Sequence, residues 1–191
     1  MTQPAPVSDY YVMTAVVSRT TVRITNEPEL PPDADLWIDG QPLSADIGQP
    51  LLYEVEEGDE GEMGAFIDTA APLMSKDLVA CLRDNGVDNL DVYEAVIREV
   101  ATGHEHSGYW AVNVLGVVDA ADPARTAEIS LEGLGTWIDR IVVDESAARQ
   151  LLLFRMRQSP SRLVLHRKVK QAIENRRLPL LMFTPVNEMS G

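Results

Sequence analysis

The sequence predicts an α+β fold, with a mixed, mostly antiparallel sheet and a few short helices. Short runs rich in β-branched and aromatic residues, bounded by glycine, proline and asparagine, indicate several short strands. Two segments with apolar residues spaced three and four positions apart indicate short helices. The connections are short, as is usual in packed mixed layers, so the 191 residues are expected to form one compact domain overall.

The first third of the chain is predicted to contain strands separated by loops. Residues 26–35 hold three prolines and are therefore predicted to form a loop. A turn is expected at Asp39-Gly40, inside the third predicted strand. The second strand could pair with the first or extend it. The predicted strands are residues 10–17, 20–25, 36–43 and 51–55.

A helix is predicted directly after Ser75, a residue type that caps helix N-termini well. Asp77 would lie in the first turn, and Gly86 suits the position just after a helix end. Four neighbouring residues would form the apolar side of this helix: Leu78, Val79, Cys81 and Leu82.

The remaining elements follow from similar patterns. A polar loop is predicted at 102–108, a turn region at 119–126, a helical turn at 144–149 and a second helix at 167–175. Strands are predicted at residues 90–97, 109–118, 137–143, 151–156, 163–165 and 180–184.

The two predicted helix–strand units are similar to each other. When the chain is shifted by 91 residues, the cap, the apolar helix positions and the following strand keep their residue class. The pattern has two interpretations, a duplicated α–β module or the general likeness of any two short helix–strand units. The aligned positions are Ser75, Leu78, Cys81, Leu82, Val87 and Val92 with His166, Val169, Ala172, Ile173, Leu178 and Phe183.

The negative charge of the chain is concentrated in its first third. Residues 1–68 carry fourteen acids and two arginines, whereas residues 69–191 carry sixteen acids and fourteen bases. The sequence thus divides into an acidic segment, 1–68, of strands and loops packed on an α+β core, 69–191. An acidic surface repels nucleic acid and anionic membranes and attracts basic proteins. We therefore expect a protein partner, no nucleic acid and no membrane.

One stretch, residues 149–177, has the opposite charge, with nine bases and one acid. It could suggest nucleic-acid binding, but few aromatic residues are interleaved with the bases and the whole chain is strongly negative. The sequence favours an intramolecular partner for the acidic segment, or a solvated helix face. A single cysteine, and a start without a basic segment followed by a long apolar run, predict a cytoplasmic protein.

Three groups of residues could carry chemistry. His104 and His106 could share one face of a strand and bind zinc, although a solvated hairpin loop is favoured. Cys81 could be a nucleophile, but its place on an apolar helix side favours a core residue. Asp119 and Asp122 could act as paired carboxylates, yet their surroundings are typical of a turn. No later Cys or His supplies further zinc ligands, and glycine-rich phosphate loops and nucleophile elbows are missing from the sequence, so we expect no metal, no cofactor and no catalytic residues.

An acidic loop follows the strand predicted at residues 51–55. It has two interpretations, a feature that increases solubility or a docking site for a basic patch of a partner protein. If it is a docking site, the candidate contact residues are Glu54, Glu56, Glu57, Asp59, Glu60 and Glu62.

Several blocks of the chain resemble one bacterial family. The Ser-capped helix and following strand are similar to one family segment, and a Tyr-led strand with an Asn-Val step resembles the next. The closing block has an Ile/Leu-Phe-Arg strand, a helix and a Phe-x-Pro-Val end, and Trp37 fits a Trp-x-x-Gly step. The quoted blocks are PLMSKDLVACLRDNGVDNLDVYEAVI, YWAVNVLGVVDAADPART and RIVVDESAARQLLLFRMRQSPSRLVLHRKVKQAIENRRLPLLMFTPV. Over most of residues 36–186 the chain therefore resembles the immunity-protein family numbered eleven of bacterial polymorphic-toxin systems, formerly a domain of unknown function.

The resemblance implies a protein that is not an enzyme, but binds and neutralises a cognate toxin in the cytoplasm of the cell that makes both. It implies core roles for Trp37, Leu78, Leu82, Tyr93, Val114, Val118, Phe154, Ile173 and Phe183. Two other classes stay open. One is a small hydrolase that uses His104 and His106 or Cys81, and the other is a scaffold subunit that associates through LLLFRM or another edge strand.

Overall fold

The computed structural model describes residues 8–18, 21–31, 36–44, 46–55, 61–124, 126–131, 135–140, 142–148 and 151–188. Within these residues the chain forms strands, three α-helices and a closing 3-10 turn at Val186–Glu188. The helices are α1 (Lys76–Asp84), α2 (Glu145–Ala148) and α3 (Arg167–Arg176). The strands are β1 (Tyr10–Ala15), β2 (Ile24–Asn26), β3 (Leu51–Val55), β4 (Phe66–Ile67), β5 (Leu73–Ser75), β6 (Leu90–Glu99), β7 (Glu105–Val114), β8 (Val117–Val118), β9 (Ala127–Leu131), β10 (Gly135–Arg140), β11 (Leu153–Met156), β12 (Ser159–His166) and β13 (Leu181–Pro185).

The strands form two main sheets and one hairpin. The five-stranded sheet has the order β13-β1-β12-β11-β8, and the six-stranded sheet has the order β2-β3-β6-β7-β5-β4. The hairpin joins β9 and β10. The pairs β3–β6 and β8–β11 are parallel, and the other pairs between these strands are antiparallel. The predicted mixed, mostly antiparallel α+β fold is therefore confirmed.

The two helix–strand units predicted from the 91-residue shift have the same topology. In one unit β5 leads through α1 into β6, and β7 lies between β5 and β6; in the other, β12 leads through α3 into β13, and β1 lies between them. The pairing registers also match. In each unit a residue of the central strand pairs with one residue on either neighbouring strand, and the two partners in the second unit lie 91 positions after the two partners in the first. The matched sets are Ala111 with Leu73 and Tyr93, and Val12 with Val164 and Thr184.

The local signals that delimit α1 act as predicted. The side chain of Ser75 accepts a hydrogen bond from the Leu78 amide at 3.2 Å, and Asp77 lies in the first turn. Gly86 has a φ of 93°, a conformation that a residue with a Cβ rarely adopts. In α3 the equivalent cap is His166, whose Nδ1 accepts a hydrogen bond from the Lys168 amide at 3.1 Å. Both helix starts are thus fixed by their own cap residues.

Helices α1 and α3 pack together, with α1 against β5 and β7 of the six-stranded sheet and α3 against β12 and β1 of the five-stranded sheet. Their buried residues share one core with residues of both sheets. A second core fills the concave side of the six-stranded sheet around Tyr53, Ile97 and Ala111, and a third lies under α2 around Tyr10 and Phe154. The core positions implied by the family resemblance are all buried or partly buried in these clusters.

Two predictions for the first third of the chain are wrong. Residue 20 lies outside the described residues, and residues 21–25 neither extend β1 nor pair with it. Thr21 Oγ1 is hydrogen-bonded to the Ser18 backbone, and the following strand β2 pairs with β3 of the other sheet. Residues 36–43 form a turn and irregular chain in place of a strand. There the Asp39 amide donates to the Leu36 carbonyl at 2.9 Å, and Asp39 Oδ2 accepts from the Leu36 amide. The turn therefore begins three residues before Asp39.

The second half of the chain also differs in places. The polar loop at 102–108 is shorter than predicted, because β7 begins at Glu105. The strand predicted at 109–118 is interrupted at Gly116, whose φ of 93° lets the chain leave one sheet and enter the other as β8. Strand β12 is longer than the predicted residues 163–165, and β4, β5 and β9 carried no recognised signal. The scaffold hypothesis placed LLLFRM at a sheet edge, which is wrong because β11 lies between β12 and β8.

The acidic segment and the predicted core share both sheets. Strand β1 lies between β12 and β13, and β3 lies beside β6. None of the helices in the described ranges has the length and apolar character needed to cross a membrane.

Candidate binding groove

An open groove of about 290 Å³ lies where the two main sheets meet. Its walls come from the end of β1, the segment before β2, the strand β4 with the residues after it, and Leu180 before β13. Distant parts of the sequence thus converge on one concavity. We refer to it below as the seam groove. Its lining residues are Ala15, Val16, Val17, Thr21, Val22, Arg23, Ile24, Glu27, Glu62, Gly64, Phe66, Ile67, Asp68, Thr69 and Leu180.

The seam groove separates the two edge strands of the six-stranded sheet. Strands β2 and β4 are the first and last strands of that sheet, and residues of both line the groove. Just before these strands, Thr21 and Glu62 form a parallel bridge, in which the Val22 amide donates to the Glu62 carbonyl at 3.2 Å. The two edges of the sheet are therefore bridged next to β2 and β4 and separated by the groove along these strands.

Strand β4 turns hydrogen-bonding groups toward this opening. It pairs with β5 in antiparallel register, Phe66 opposite Met74, and the Ser75 amide donates to the Ala65 carbonyl at 2.8 Å. Bonded and non-bonded pairs alternate along an antiparallel ladder, so the backbone N–H and C=O of Phe66 point away from β5. Phe66 is 2% exposed and the Ala65 amide donates to the Pro179 carbonyl at 3.0 Å, so this edge is covered within the fold.

Three carboxylates line the seam groove. The two oxygens of Glu27 accept hydrogen bonds from the Ala70 and Ala71 amides, each at 3.3 Å, so this side chain is held against one wall. Asp68 lies on the neighbouring wall and Glu62 at the bridged end. Together these acids outnumber Arg23, the one basic residue among the lining residues. The groove therefore presents a negative surface.

Asp68 is electrostatically coupled to a buried arginine below the groove. Desolvation raises the pKa of Asp68 above its ordinary value; the positive charge of Arg155 lowers it, and Glu27 raises it further. Arg155 is 1% exposed and donates from Nη1 to the Pro160 carbonyl at 2.8 Å. Burial lowers the pKa of Arg155 to about 10, while the charge of Asp68 raises it. Arg155 stays positively charged at neutral pH and partly offsets the negative groove.

Apolar surface completes the groove. Val17 is 72% exposed at the end of β1, and Leu180, Val22 and Ile24 line the walls. Exposed apolar side chains beside carboxylates suit a partner that contributes both basic and apolar groups.

The six toxin-binding candidates fall into three groups. Glu62 lines the seam groove. Glu54 lies on β3 next to the edge strand β2, where its Oε2 accepts a hydrogen bond from Asn26 Nδ2 at 2.9 Å. The other four are Glu56, Glu57, Asp59 and Glu60, which lie outside the described residues.

The histidine pair lies at the β6–β7 hairpin. The rings of His104 and His106 are 4.5 Å apart, edge to face, and His106 Nε2 is 2.7 Å from Glu99 Oε1. Hydrogen bonds from Thr102 and His106 lower the pKa of Glu99. The ranges that the structure describes contain no group of three His, Cys, Asp or Glu side chains that could hold a metal ion. The arrangement thus has the geometry of a polar hairpin end.

Cys81 and the aspartate pair have structural contacts. Cys81 is 0% exposed in α1, and burial raises the pKa of its thiol, which disfavours the reactive thiolate. Asp122 Oδ1 accepts a hydrogen bond from the Ala124 amide at 2.9 Å, and Asp119 Oδ1 accepts from Gln158 Nε2 at 2.6 Å. Residues 123 and 124 form a turn, as predicted.

The basic stretch forms ion pairs within the protein. Arg167 pairs with Asp9 of the acidic segment at 2.9 Å, whereas Arg176 pairs with Asp84 and Lys170 with Glu174. The predicted intramolecular partner for the acidic segment is therefore found at Arg167 and, at longer range, at Arg155. The other pairs lie on and beside α1 and α3.

Sequence reasoning missed most of the seam groove. Glu27 was placed in a proline-rich loop, Asp68 at the end of the acidic segment, and Arg155 in a strand whose neighbours were unknown. One signal was available: an arginine inside the apolar run LLLFRM breaks the pattern expected for a core strand and marks a buried charge that needs a partner.

The chain was compared with known proteins. No family model matches the sequence, and no curated protein matches it. The structure itself shows an α+β protein of two main sheets with an open acidic groove where they meet. The resemblance to the immunity-protein family stays a prediction that rests on residue patterns alone.

Proposed function

We propose that this protein is an immunity protein, which binds a cognate bacterial toxin in the cytoplasm and neutralises it by covering its surface. One observation carries the proposal: the seam groove is open, negative and partly apolar. Such a surface suits recognition of a protein. The family-like residue patterns of the chain agree with it.

The charge of the seam groove indicates the kind of toxin. Proteins that act on nucleic acids or nucleotides carry basic clefts, because their substrates are anionic. An acidic inhibitor complements such a cleft, and opposite charges raise the association rate and disfavour wrong partners. We therefore propose a toxin with a basic active-site cleft as the partner.

The residues considered for chemistry support binding over catalysis. Cys81 lies in the shared core between α1 and the sheets, so a substrate could reach its Sγ atom only after local unfolding. His106 Nε2 lies 2.7 Å from Glu99 Oε1 at a hairpin, and both histidines lie outside the groove lining. The proposed function assigns these residues structural roles and places recognition at the seam groove.

Co-expression tests this function. The toxin should be encoded next to this protein, so each neighbouring open reading frame is expressed in a sensitive bacterium with and without this chain. We expect one neighbour to stop growth alone, and growth to return when this protein is present. A toxic neighbour whose effect is unchanged by this protein would contradict the proposal. A variant with a buried Leu78→Asp substitution, which should not fold, serves as the control for expression alone.

A further inference from the structure

We infer that Leu180 is a strained clamp of the seam groove: it ties the five-stranded sheet to the start of β4, and its release lets the groove widen. The inference concerns how the walls of the groove are held together, so it goes beyond the proposed function and needs no toxin. A groove that widens by local opening adjusts to the shape of a partner without unfolding the protein.

The first observation is the backbone conformation of Leu180. Its φ of 58° places a leucine in the left-handed region that glycine favours. A bulky side chain is rare there, and the conformation persists only where the surrounding contacts over-determine it. The other non-glycine residue with a positive φ in the described ranges is Arg177, but it caps the C-terminal end of α3, where a left-handed residue is usual.

Two backbone hydrogen bonds hold Leu180 in this conformation. The Leu180 carbonyl accepts from the Val16 amide at 2.9 Å, just after β1, and the Pro179 carbonyl accepts from the Ala65 amide at 3.0 Å, just before β4. The φ rotation of Leu180 lies between these two carbonyl groups, so it affects their relative direction. The strained residue therefore joins the end of a strand in one main sheet to the start of a strand in the other.

The side chain of Leu180 packs where a glycine leaves space. A Cβ built on Gly64 would lie 3.3 Å from Leu180 Cβ and 3.0 Å from the Phe66 carbonyl oxygen, both closer than ordinary van der Waals contact. Gly64 and Leu180 both line the groove. A glycine at position 180 would adopt the same φ without strain, so the leucine side chain is held in the groove at a conformational cost.

Strain at this point lowers the free energy of local opening. When the hydrogen bond between Ala65 and Pro179 breaks, Leu180 can return to an ordinary φ and the strain is released. Pro179 is exposed, and Val17, beside the Val16 hydrogen bond, is 72% exposed, so few contacts oppose the separation. The walls of the seam groove therefore part here before the hydrophobic cores unfold.

Amide hydrogen exchange of the full chain tests the clamp. Exchange is followed residue by residue by NMR at several urea concentrations below the unfolding transition. The Val16 and Ala65 amides report on the seam groove. The Val112 amide, which donates to the Pro72 carbonyl at 2.8 Å from a buried strand, reports on global unfolding. Protection is expressed relative to the exchange rates of an unfolded chain.

Three variants separate strain from packing. Leu180→Gly and Leu180→Asn both relieve the strain, since glycine and asparagine tolerate a positive φ better than leucine. Arg177→Gly is the matched control, because it relieves the same kind of strain outside the groove lining.

In the wild type, Val16 and Ala65 should be at least about tenfold less protected than Val112 and depend less on urea, because local opening exposes little surface. Both Leu180 variants should raise the protection of Val16 and Ala65 by about threefold to thirtyfold, the range expected for release of a left-handed leucine. Arg177→Gly should leave the protection of these two amides within about twofold of the wild type.

Two results would overturn the inference. Equal protection and equal urea dependence of all three amides in the wild type would show that the seam opens only when the whole protein unfolds. Unchanged or lower protection of Val16 and Ala65 in both Leu180 variants would show that packing of the leucine, and not strain, controls the seam. The growth test and the exchange test can fail separately, because the exchange test contains no toxin.

Discussion

At the residue scale, Asp68 and Arg155 decide the character of the groove. Arg155 is almost fully buried and donates a hydrogen bond to the Pro160 carbonyl, and the negative charge of Asp68 partly compensates its positive charge. Removing a charge from water costs more than an imperfect pair returns, so the burial of Arg155 is not explained by stability alone. An arginine below an acidic groove instead keeps Asp68 ionised more readily than burial alone would allow.

The substitution Asp68→Asn is predicted to leave the protein at least as stable at pH 7. The folded-state pKa of Asp68 is raised, so its stabilising effect is present at low pH and is lost as the pH rises through the folded pKa. Asparagine does not ionise, so the variant does not lose this stability as the pH rises. The gain should be below about 1 kcal/mol because solvent reaches the groove.

Urea unfolding of both proteins between pH 4 and pH 8 measures this effect. The advantage of the variant should shrink as the pH falls, because the Asp68 carboxyl group becomes protonated at a higher pH in the folded protein than in the unfolded chain. A variant that is clearly less stable at pH 7 would show that attraction between Asp68 and Arg155 outweighs desolvation.

At the element scale, local signals could be predicted and sheet order could not. Ser75 and Gly86 fix α1 through contacts within a few residues, which the sequence displays directly. The position of β1 between β12 and β13 depends on contacts with the far end of the chain. Local and long-range contacts both build the seam groove. Glu62 could be predicted as a contact residue from its acidic neighbours in sequence, whereas Asp68 and Arg155 could not be assigned to the groove.

The break between β7 and β8 is another long-range feature. Gly116 donates its amide to the Gly40 carbonyl at 2.7 Å where the chain passes between sheets. Gly40 has a φ of 65°, and a Cβ built on it would lie 2.9 Å from the Gly116 carbonyl carbon and 2.8 Å from Val117 Cγ2. The close approach therefore requires glycine at this position.

Gly40→Ala is predicted to destabilise the protein by about 2 kcal/mol or more, since it adds both backbone strain and a clash with main-chain atoms. Gly48→Ala is the matched control, because a Cβ there would meet nothing within 4 Å. Chemical denaturation of both variants tests this contact. Equal stability of the two would show that the β7–β8 junction is not tightly packed against Gly40.

At the scale of the whole molecule, the fold contains two helix–strand units with the same strand-pairing register. The acidic seam groove lies between the edge strands β2 and β4. The net charge of −14 arises mainly in residues 1–68, and these residues also supply most of the groove lining. The basic stretch pairs with Asp9, Asp84 and Glu174, so its positive charge is partly used within the fold. The surface left for a partner is predominantly negative, which is the basis of the proposed binding to a basic toxin.

Association kinetics with the toxin identified by the growth test measure this central claim most directly. The toxin is mixed with wild-type protein and with a variant in which the six candidate acids are changed to amides, at several salt concentrations. A smaller variant, Glu54→Gln/Glu62→Gln, is matched in charge by Asp46→Asn/Glu94→Gln. Electrostatic steering depends on the charges near the contact surface and is screened by salt. The six candidates are Glu54, Glu56, Glu57, Asp59, Glu60 and Glu62.

The account predicts that the six-residue variant associates at least about tenfold more slowly at low salt and that its rate depends less on salt concentration. The two-residue variant should show a smaller effect in the same direction, and its matched control should behave like the wild type. Association rates that are unchanged in the six-residue variant at every salt concentration would contradict recognition through this acidic surface.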